Sequence, residues 1–427
     1  MNPLGILLLL FVLLAIAVPV GFSMGLAGTI GLYQFGGWDM VRGILSTAPL
    51  SGISVYDLLT IPMFLLMAEF VLLSGVVDDL FRAAAAWVGR IRGGLGMATA
   101  VSGAIFGSIC GTSTATAATL SATTLPAMTR QGYEPAMAGG IVAISGTLAI
   151  LMPHSVALII YGLIAEVSIG KLLMAGIIPA VLVTITIILT IYILVLLDPS
   201  RVPVSHITPW REKFKLLLTT GPLLMLMVGI TAAIYAGIAT VTESAAVGAI
   251  GGLIVALQRR QLTFKALMQC LIRATHGTCM IMMIIVGASI FGYFFALTHF
   301  TQDLVQWVGH LDVNRWVIIA ILLCGYLVLG CFMDQMAILF LTVPVVLPII
   351  KSLGFDPIWF GIIKIVTAEV GLITPPIGMN CFVVARYSKV PVETIFRGSM
   401  PHFLAHLVVI AILTAFPQIT LWLPSLM

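Results

Sequence analysis

Charge is scarce in this chain. Only 8% of its 427 residues are Asp, Glu, Lys or Arg, against roughly 25% in a soluble globular protein. That shortage excludes an ordinary water-facing surface. No Arg- or Lys-rich run is present, which argues against a nucleic-acid partner. Cysteine is sparse too. The six cysteines include no CxxC pair, so they supply no zinc framework and read as small apolar residues. No glycine-rich loop ends in Gly-Lys-Ser/Thr, which excludes nucleotide hydrolysis by this chain. Neither HExxH nor GxSxG occurs, and no enzyme is expected. The run Leu4–Val18 lacks a basic stretch before it, since the first cation is Arg42. It is expected to be a retained first membrane segment rather than a cleaved signal.

What the chain has in abundance is apolar length. Hydrophobic residues make up 60% of it, and its mean hydropathy is +1.17. A bilayer core takes about 20 apolar residues per helical crossing, and runs of that length recur from end to end. Stretches such as Ile178–Leu197 show no alternation of polarity, so helices are expected and not barrel strands. The segments fall near 4–34 (breakable at Pro19), 50–78, 96–128, 136–165, 172–197, 216–236, 241–257, 266–298, 316–350, 358–385 and 400–423. The one substantial polar connection, Asp198–Lys215, could join two halves. The net charge of +4 reads as topology. Cations gather at Arg82/Arg90/Arg92, in Arg201–Lys215, at Arg259/Arg260/Lys265 and at Arg386/Lys389/Arg397. All four clusters share one face, the cytoplasmic one, if 96–128 and 316–350 each enter and leave on the same side. That count puts the C-terminus on the opposite face.

An internal repeat organises the chain. Under an ungapped shift of 222 residues, Pro126 falls on Pro348, Gly132 on Gly354, Pro135 on Pro357 and Gly139 on Gly361. Pro153 then falls on Pro375, Gly176 on Gly398 and Pro179 on Pro401. Prolines and glycines mark breaks and turns, so their register carries structural information. The copies begin at opposite faces in the topology above. That is an inverted repeat, an architecture of secondary transporters whose sites lie at the midplane between discontinuous helices.

Each copy contains a break inside a membrane segment: Leu151-Met-Pro-His-Ser155 and Ile373-Thr-Pro-Pro-Ile-Gly378. Proline frees a backbone carbonyl. In lipid that carbonyl needs protein, water or an ion as a partner. Before the first break lies the hydroxyl- and glycine-rich stretch Gly107–Thr116, and before the second lies Gly330–Gln335 with Asp334. Hydroxyl and backbone oxygens at close quarters suit a hard cation, although a small-residue packing face reads the same way. An acid at membrane depth is a functional candidate. Glu69, Glu243, Glu369 and Lys364 are also intramembrane candidates, each either an anchor or an ion contact. For Glu243 a helix-start role is preferred. His154 is a ligand contact or a packed neutral histidine.

These residues carry a family resemblance. The stretches GSICGTSTATAATLSATTLPAM (107–128), RQGYEPA (130–136), IYGLIAEVSIGKLLMAGIIP (160–179), GIATVTESAAVG (237–248), GCFMDQMAILFLTVPVVLPIIKSLGFDPIWFG (330–361) and GLITPPIGMN (371–380) resemble the large membrane subunit of the tripartite ATP-independent periplasmic transporters. The resemblance covers nearly the whole chain. It implies an elevator-type inverted-repeat ion-transporter fold with two re-entrant helical hairpins. The expected division is 1–95 N-terminal scaffold, 96–180 first transport repeat, 181–315 scaffold and connecting arms, 316–400 second transport repeat, and 401–427 C-terminal helix.

It further implies sodium ions where each hairpin tip meets a broken helix. Gly111, Thr112 and Ser113 would act with Pro153 and Ser155. Asp334 and Gln335 would act with Thr374, Pro375, Gly378 and Asn380. Substrate is expected between the tips, against Ser108, Thr114, Thr116, His154 and Pro376. The expected function is sodium-coupled uptake of an organic acid across a bacterial inner membrane, with no cofactor. The expected partners are a separate small four-helix membrane subunit and a periplasmic binding protein. A self-sufficient ion-coupled organic-anion transporter is the alternative, and a membrane enzyme using the hydroxyl-rich stretch is a third reading. The chain departs from the family in having Thr116 where Asp is common, His154 where Pro is common and Thr367 where Asn is common.

Overall fold

The computed structural model describes residues 3–202 and 208–427. Part of the expected linker, 203–207, lies outside the described residues. The first half runs through α1 (Pro3–Ala15), α2 (Val20–Ile53), α3 (Thr60–Leu73), α4 (Val76–Val88), α5 (Gly94–Cys110), α6 (Ser113–Thr123), α7 (Leu125–Arg130), α8 (Pro135–Thr147), α9 (Val156–Ala165) and α10 (Ile169–Leu197). The second runs through α11 (Trp210–Tyr235), α12 (Val241–Gln258), α13 (Phe264–Leu297), α14 (Phe300–Gly309), α15 (Arg315–Phe332), α16 (Gln335–Ser352), α17 (Pro357–Gly371), α18 (Met379–Ser388) and α19 (Val392–Ala415). Eight helices among the described residues are long and apolar enough to cross a membrane. The chain breaks at Pro19, as expected, because proline at a helix start gives up a donor that would be unsatisfied anyway.

The repeat extends beyond the segment in which its prolines are matched. The same 222-residue shift carries α5 onto α15, and α6 with α7 onto α16. It carries α8 onto α17, α9 onto α18 and α10 onto α19. Upstream it carries α4 onto α14, and the Gly36-Gly37 kink of α2 onto the turn that ends α12. Packing obeys the same symmetry. The first part of α2 lies on the last part of α13, with Gly21 against the Met283 carbonyl and Gly28 against Phe291. Its counterpart α12 lies on α3, with Gly248 against Met67 and Gly252 against the Met67 carbonyl.

Both expected hairpins are present. Each first limb packs its glycines on the partly unwound helix that follows: Gly103 and Gly107 of α5 on Ser145 and Ala149, and Gly330 of α15 on Ala368 and Gly371. Small residues let backbones meet without a hydrophobic driving force, which lipid does not supply. Hydropathy missed α4 and α14. Both are short, and α4 buries Val76, Val77, Leu80, Phe81, Ala83 and Ala86 on one side while Asp78, Asp79 and Arg82 lie elsewhere on it. The expected lines at 180 and 400 fall inside the continuous helices α10 and α19.

Three basic clusters meet on one face. Arg259, at the end of α12, binds the Asp79 carboxylate of α4 at 2.8 Å and donates to the Thr219 carbonyl of α11 at 2.8 Å. Arg82 and Glu212 line the same surface cleft between α4 and α11. At the start of α12, Thr240 Oγ1 accepts from the Glu243 amide, and Glu243 Oε2 accepts from the Thr240 amide at 2.7 Å. This capping box gives Glu243 a structural role. A Thr240→Ala chain should lose about 1 kcal/mol of stability, read as a lower melting temperature with unchanged transport.

Candidate functional site

The first hairpin tip is a three-residue reversal. Gly111 closes α5 in the left-handed region at φ +66, its amide bound to the Gly107 carbonyl. Thr112 is extended, and Ser113 opens α6. Glycine is required at 111. Besides its φ, a Cβ there would stand 3.0 Å from the His154 carbonyl and 3.2 Å from the Val156 amide. The tip is therefore seated on the first break. There α8 tightens into a short turn at Leu148–Ile150, and α9 restarts behind Ser155, whose Oγ caps the Leu158 amide. Gly111, Thr112, Ser113 and Ser155 thus come together with Pro153 in one neighbourhood.

The second tip repeats the design with other chemistry. Met333 is extended, and Asp334 caps α16 by accepting from the Met336 amide at 3.0 Å. The Gly378 amide donates to the Cys331 carbonyl at 3.3 Å, which holds the second break against this tip. That break carries a cis Pro375-Pro376 bond and Gly378 at φ +54. Thr374 turns its hydroxyl back to the Val370 carbonyl at 2.7 Å. Gln335 is buried and neither end of its amide has a partner.

Asn380 corrects the expected grouping. Placed with Asp334 from sequence, it instead reaches the first tip. Its Nδ2 donates to Ser113 Oγ at 2.7 Å and to the Ala143 carbonyl at 3.2 Å. The cause is topological: α18 restarts beyond the second break and packs across α6 and α8. The side chain is fully buried, and its Oδ1 has no partner. Thr116, one turn past Ser113, is likewise buried with an unpartnered hydroxyl. Buried oxygens without donors suit a cation or a hydroxylated ligand.

The residues expected to meet substrate divide. Ser108 and His154 sit together on the side facing α3 and α11. Ser108 Oγ donates to the Ile105 carbonyl at 2.6 Å and approaches Met227 Sδ at 3.5 Å. His154 Nδ1 lies 3.2 Å from the Ser108 carbonyl, and the ring rests 5.0 Å from that of Phe64. His154 adopts φ +75, in the left-handed region that residues other than glycine seldom enter. Pro376 is exposed on the second break, and Thr114 is half-buried beside the first tip. No hydrogen bond among the described residues joins Thr114 or Pro376 to Ser108 and His154. Phe64 and Met227 carry no sequence signal for this contact, being apolar residues in apolar helices. Glu69 resolves as an anchor: it pairs with Arg273 of α13 at 2.9 Å. Thr367 binds the Ile363 carbonyl of its own helix and lines an apolar cavity of about 610 Å³ among α15, α17 and α19.

Comparison with known proteins is consistent with this geometry. The sequence profile described as "Tripartite ATP-independent periplasmic transporter, DctM component" matches residues 7–419. The chain is 35% identical over 405 residues to a Pseudomonas aeruginosa protein named C4-dicarboxylate TRAP transporter large permease protein DctM, covering 94% of each. It is 30% identical to the sialic acid TRAP transporter large permease protein SiaM of Vibrio cholerae, covering 97% of this chain and 96% of that one. It is 29% identical to an isethionate TRAP transporter permease protein DctMQ of Oleidesulfovibrio alaskensis, spanning 66% of that longer chain. Among solved structures, the YdaH transporter of Alcanivorax borkumensis shares the fold, with a TM-score of 0.65 at 15% identity and 89% coverage of both chains.

Proposed function

The chain belongs to the DctM family of tripartite ATP-independent periplasmic transporters, a multi-pass inner-membrane component, and from that premise we propose that it couples sodium entry to the uptake of an organic acid. The observation that carries the reading is the meeting of each hairpin tip with the break in its own repeat, together with the Asn380 bridge between them. In this reading Gly111, Thr112, Ser113, Pro153, Ser155 and Asn380 surround one sodium ion. Asp334, Gln335, Thr374, Pro375 and Gly378 surround another. Each ion fastens a tip to a break, so ion binding orders the tips beside which Thr114 and Pro376 would meet the cargo. The two repeats with their hairpins then move as one body past α2, α3, α12 and α13.

The relatives are named for C4-dicarboxylate, sialic acid and isethionate. All three are organic anions, and the proposed cargo is of that class. The proposed partners are a periplasmic binding protein that delivers the cargo and a small membrane subunit, which the name of the longer DctMQ relative suggests. No chemistry is performed on the cargo. The test is uptake of labelled organic acids into proteoliposomes holding this chain and its small subunit. Uptake is expected to need both an inward sodium gradient and the cognate binding protein. Uptake without the binding protein would favour the self-sufficient transporter. Uptake driven by protons alone would overturn sodium coupling.

A further inference from the structure

Glu369 is the buried acid that the two tip sites leave unused. It lies on α17, 2% exposed, and neither carboxylate oxygen has a hydrogen-bond partner. No cation among the described residues pairs with it. Lys364, the other buried ionisable group of α17, holds its Nζ over the Tyr326 ring at 5.2 Å instead. The position of Glu369 is fixed by packing. Its neighbour Ala368 presents its carbonyl to Gly330 of α15, and a Cβ on Gly330 would stand only 2.3 Å from that oxygen. Gly330 lies one turn before the second tip. Glu369 therefore stands beside the last turn of α15, one turn from the tip that carries Asp334. Gln335, 1% exposed, adds an amide whose oxygen and nitrogen both lack partners.

The repeat supplies a contrast. Shifted back by 222 residues, Asp334, Gln335 and Glu369 fall on Thr112, Ser113 and Thr147. The first copy thus has three hydroxyls where the second has two acids and an amide. Thr147 is also satisfied, its hydroxyl bound to the Ile144 carbonyl at 2.7 Å. A fully buried carboxylate without a basic partner, close to the tip that carries Asp334 and the unpartnered Gln335 amide, is well matched by a cation.

We propose that Glu369 is a second carboxylate ligand of the cation site at the second hairpin tip, with Asp334 and Gln335. This rests on the sodium-coupled reading above and refines it. The two sodium sites are then unlike: the first is built of neutral oxygens, the second is doubly anionic and binds sodium the more tightly.

Sodium titration of the purified chain tests this, followed by the rise in melting temperature and by binding of radioactive sodium. A Glu369→Gln chain should keep the parent's melting temperature in potassium chloride. Its tighter class of sodium sites should weaken at least about tenfold, the lower end of what disturbing a metal site costs. Should that chain fail to fold, Glu369→Asp keeps the charge on a shorter arm. It should bind the parent's number of sodium ions, the tighter class more weakly. A Glu369→Gln titration, or failing that a Glu369→Asp one, that superimposes on the parent's would overturn the proposal while leaving sodium coupling intact. A parent chain with no response to sodium would overturn both.

Discussion

An Asn380→Ala chain should fold yet take up substrate about 10–100-fold more slowly than the parent. The estimate follows from what the side chain does. Its Nδ2 donates to Ser113 Oγ and to the Ala143 carbonyl, deep in the protein. Alanine leaves both buried acceptors short of a donor, at about 1–3 kcal/mol, and each 1.4 kcal/mol is a factor of ten. The loss should fall on the sodium-loaded state, because Ser113 belongs to the tip that closes on the first break. The half-saturating sodium concentration is the quantity to follow. Uptake within twofold of the parent, at unchanged sodium dependence, would remove Asn380 from the transport site.

Gly398→Ala should do more harm to folding than almost any other single methyl group. A Cβ at that position would lie 1.8 Å from the Ala136 carbonyl oxygen, so α8 and α19 would have to part. Forcing extra volume into a packed contact costs about 1–3 kcal/mol, occasionally more. Gly229→Ala is the control, because nothing lies within 4 Å of the methyl it would add. The yield of monodisperse protein and its melting temperature should fall for the first and hold for the second. Equal melting temperatures would show that the two helices can separate freely.

Much of this was legible in the sequence, for physical reasons. Proline and glycine leave a trace in the chain because their backbone demands are local. Pro153 and Pro375 therefore located both breaks, while the hairpins came from the family resemblance, with which the topology count agrees. The repeat was visible only where such residues punctuate it. In its extension into α2–α4 the glycines and prolines of one copy do not fall on those of the other, and the apolar residues that remain match by chance in any membrane protein. The arms α4 and α14 escaped because they are too short to span and carry polar residues. Asn380 was assigned to the nearer break in sequence, whereas its contacts are set by where α18 lands after the turn. Nothing local encodes that landing. The packing of His154 on Phe64 and of Ser108 on Met227 was hidden for the same reason, since each contact joins residues far apart in the chain.

The glycine contacts also say where this molecule is able to slide. Where backbone meets backbone, as between Gly398 and Ala136, Gly330 and Ala368, or Gly21 and Met283, two helices are keyed like a shaft to its hub. Movement along such a seam would drive carbonyl into Cα. The seam between α5, α10 and the first break on one side and α11 on the other has no key of this kind. It opens as an apolar cavity of about 450 Å³ bordered by Met152, Met174 and Met227. Methionine is unbranched and polarisable, and it refills irregular gaps with little penalty. A bearing surface needs that property, since every intermediate position along the stroke must be filled nearly as well as the two ends.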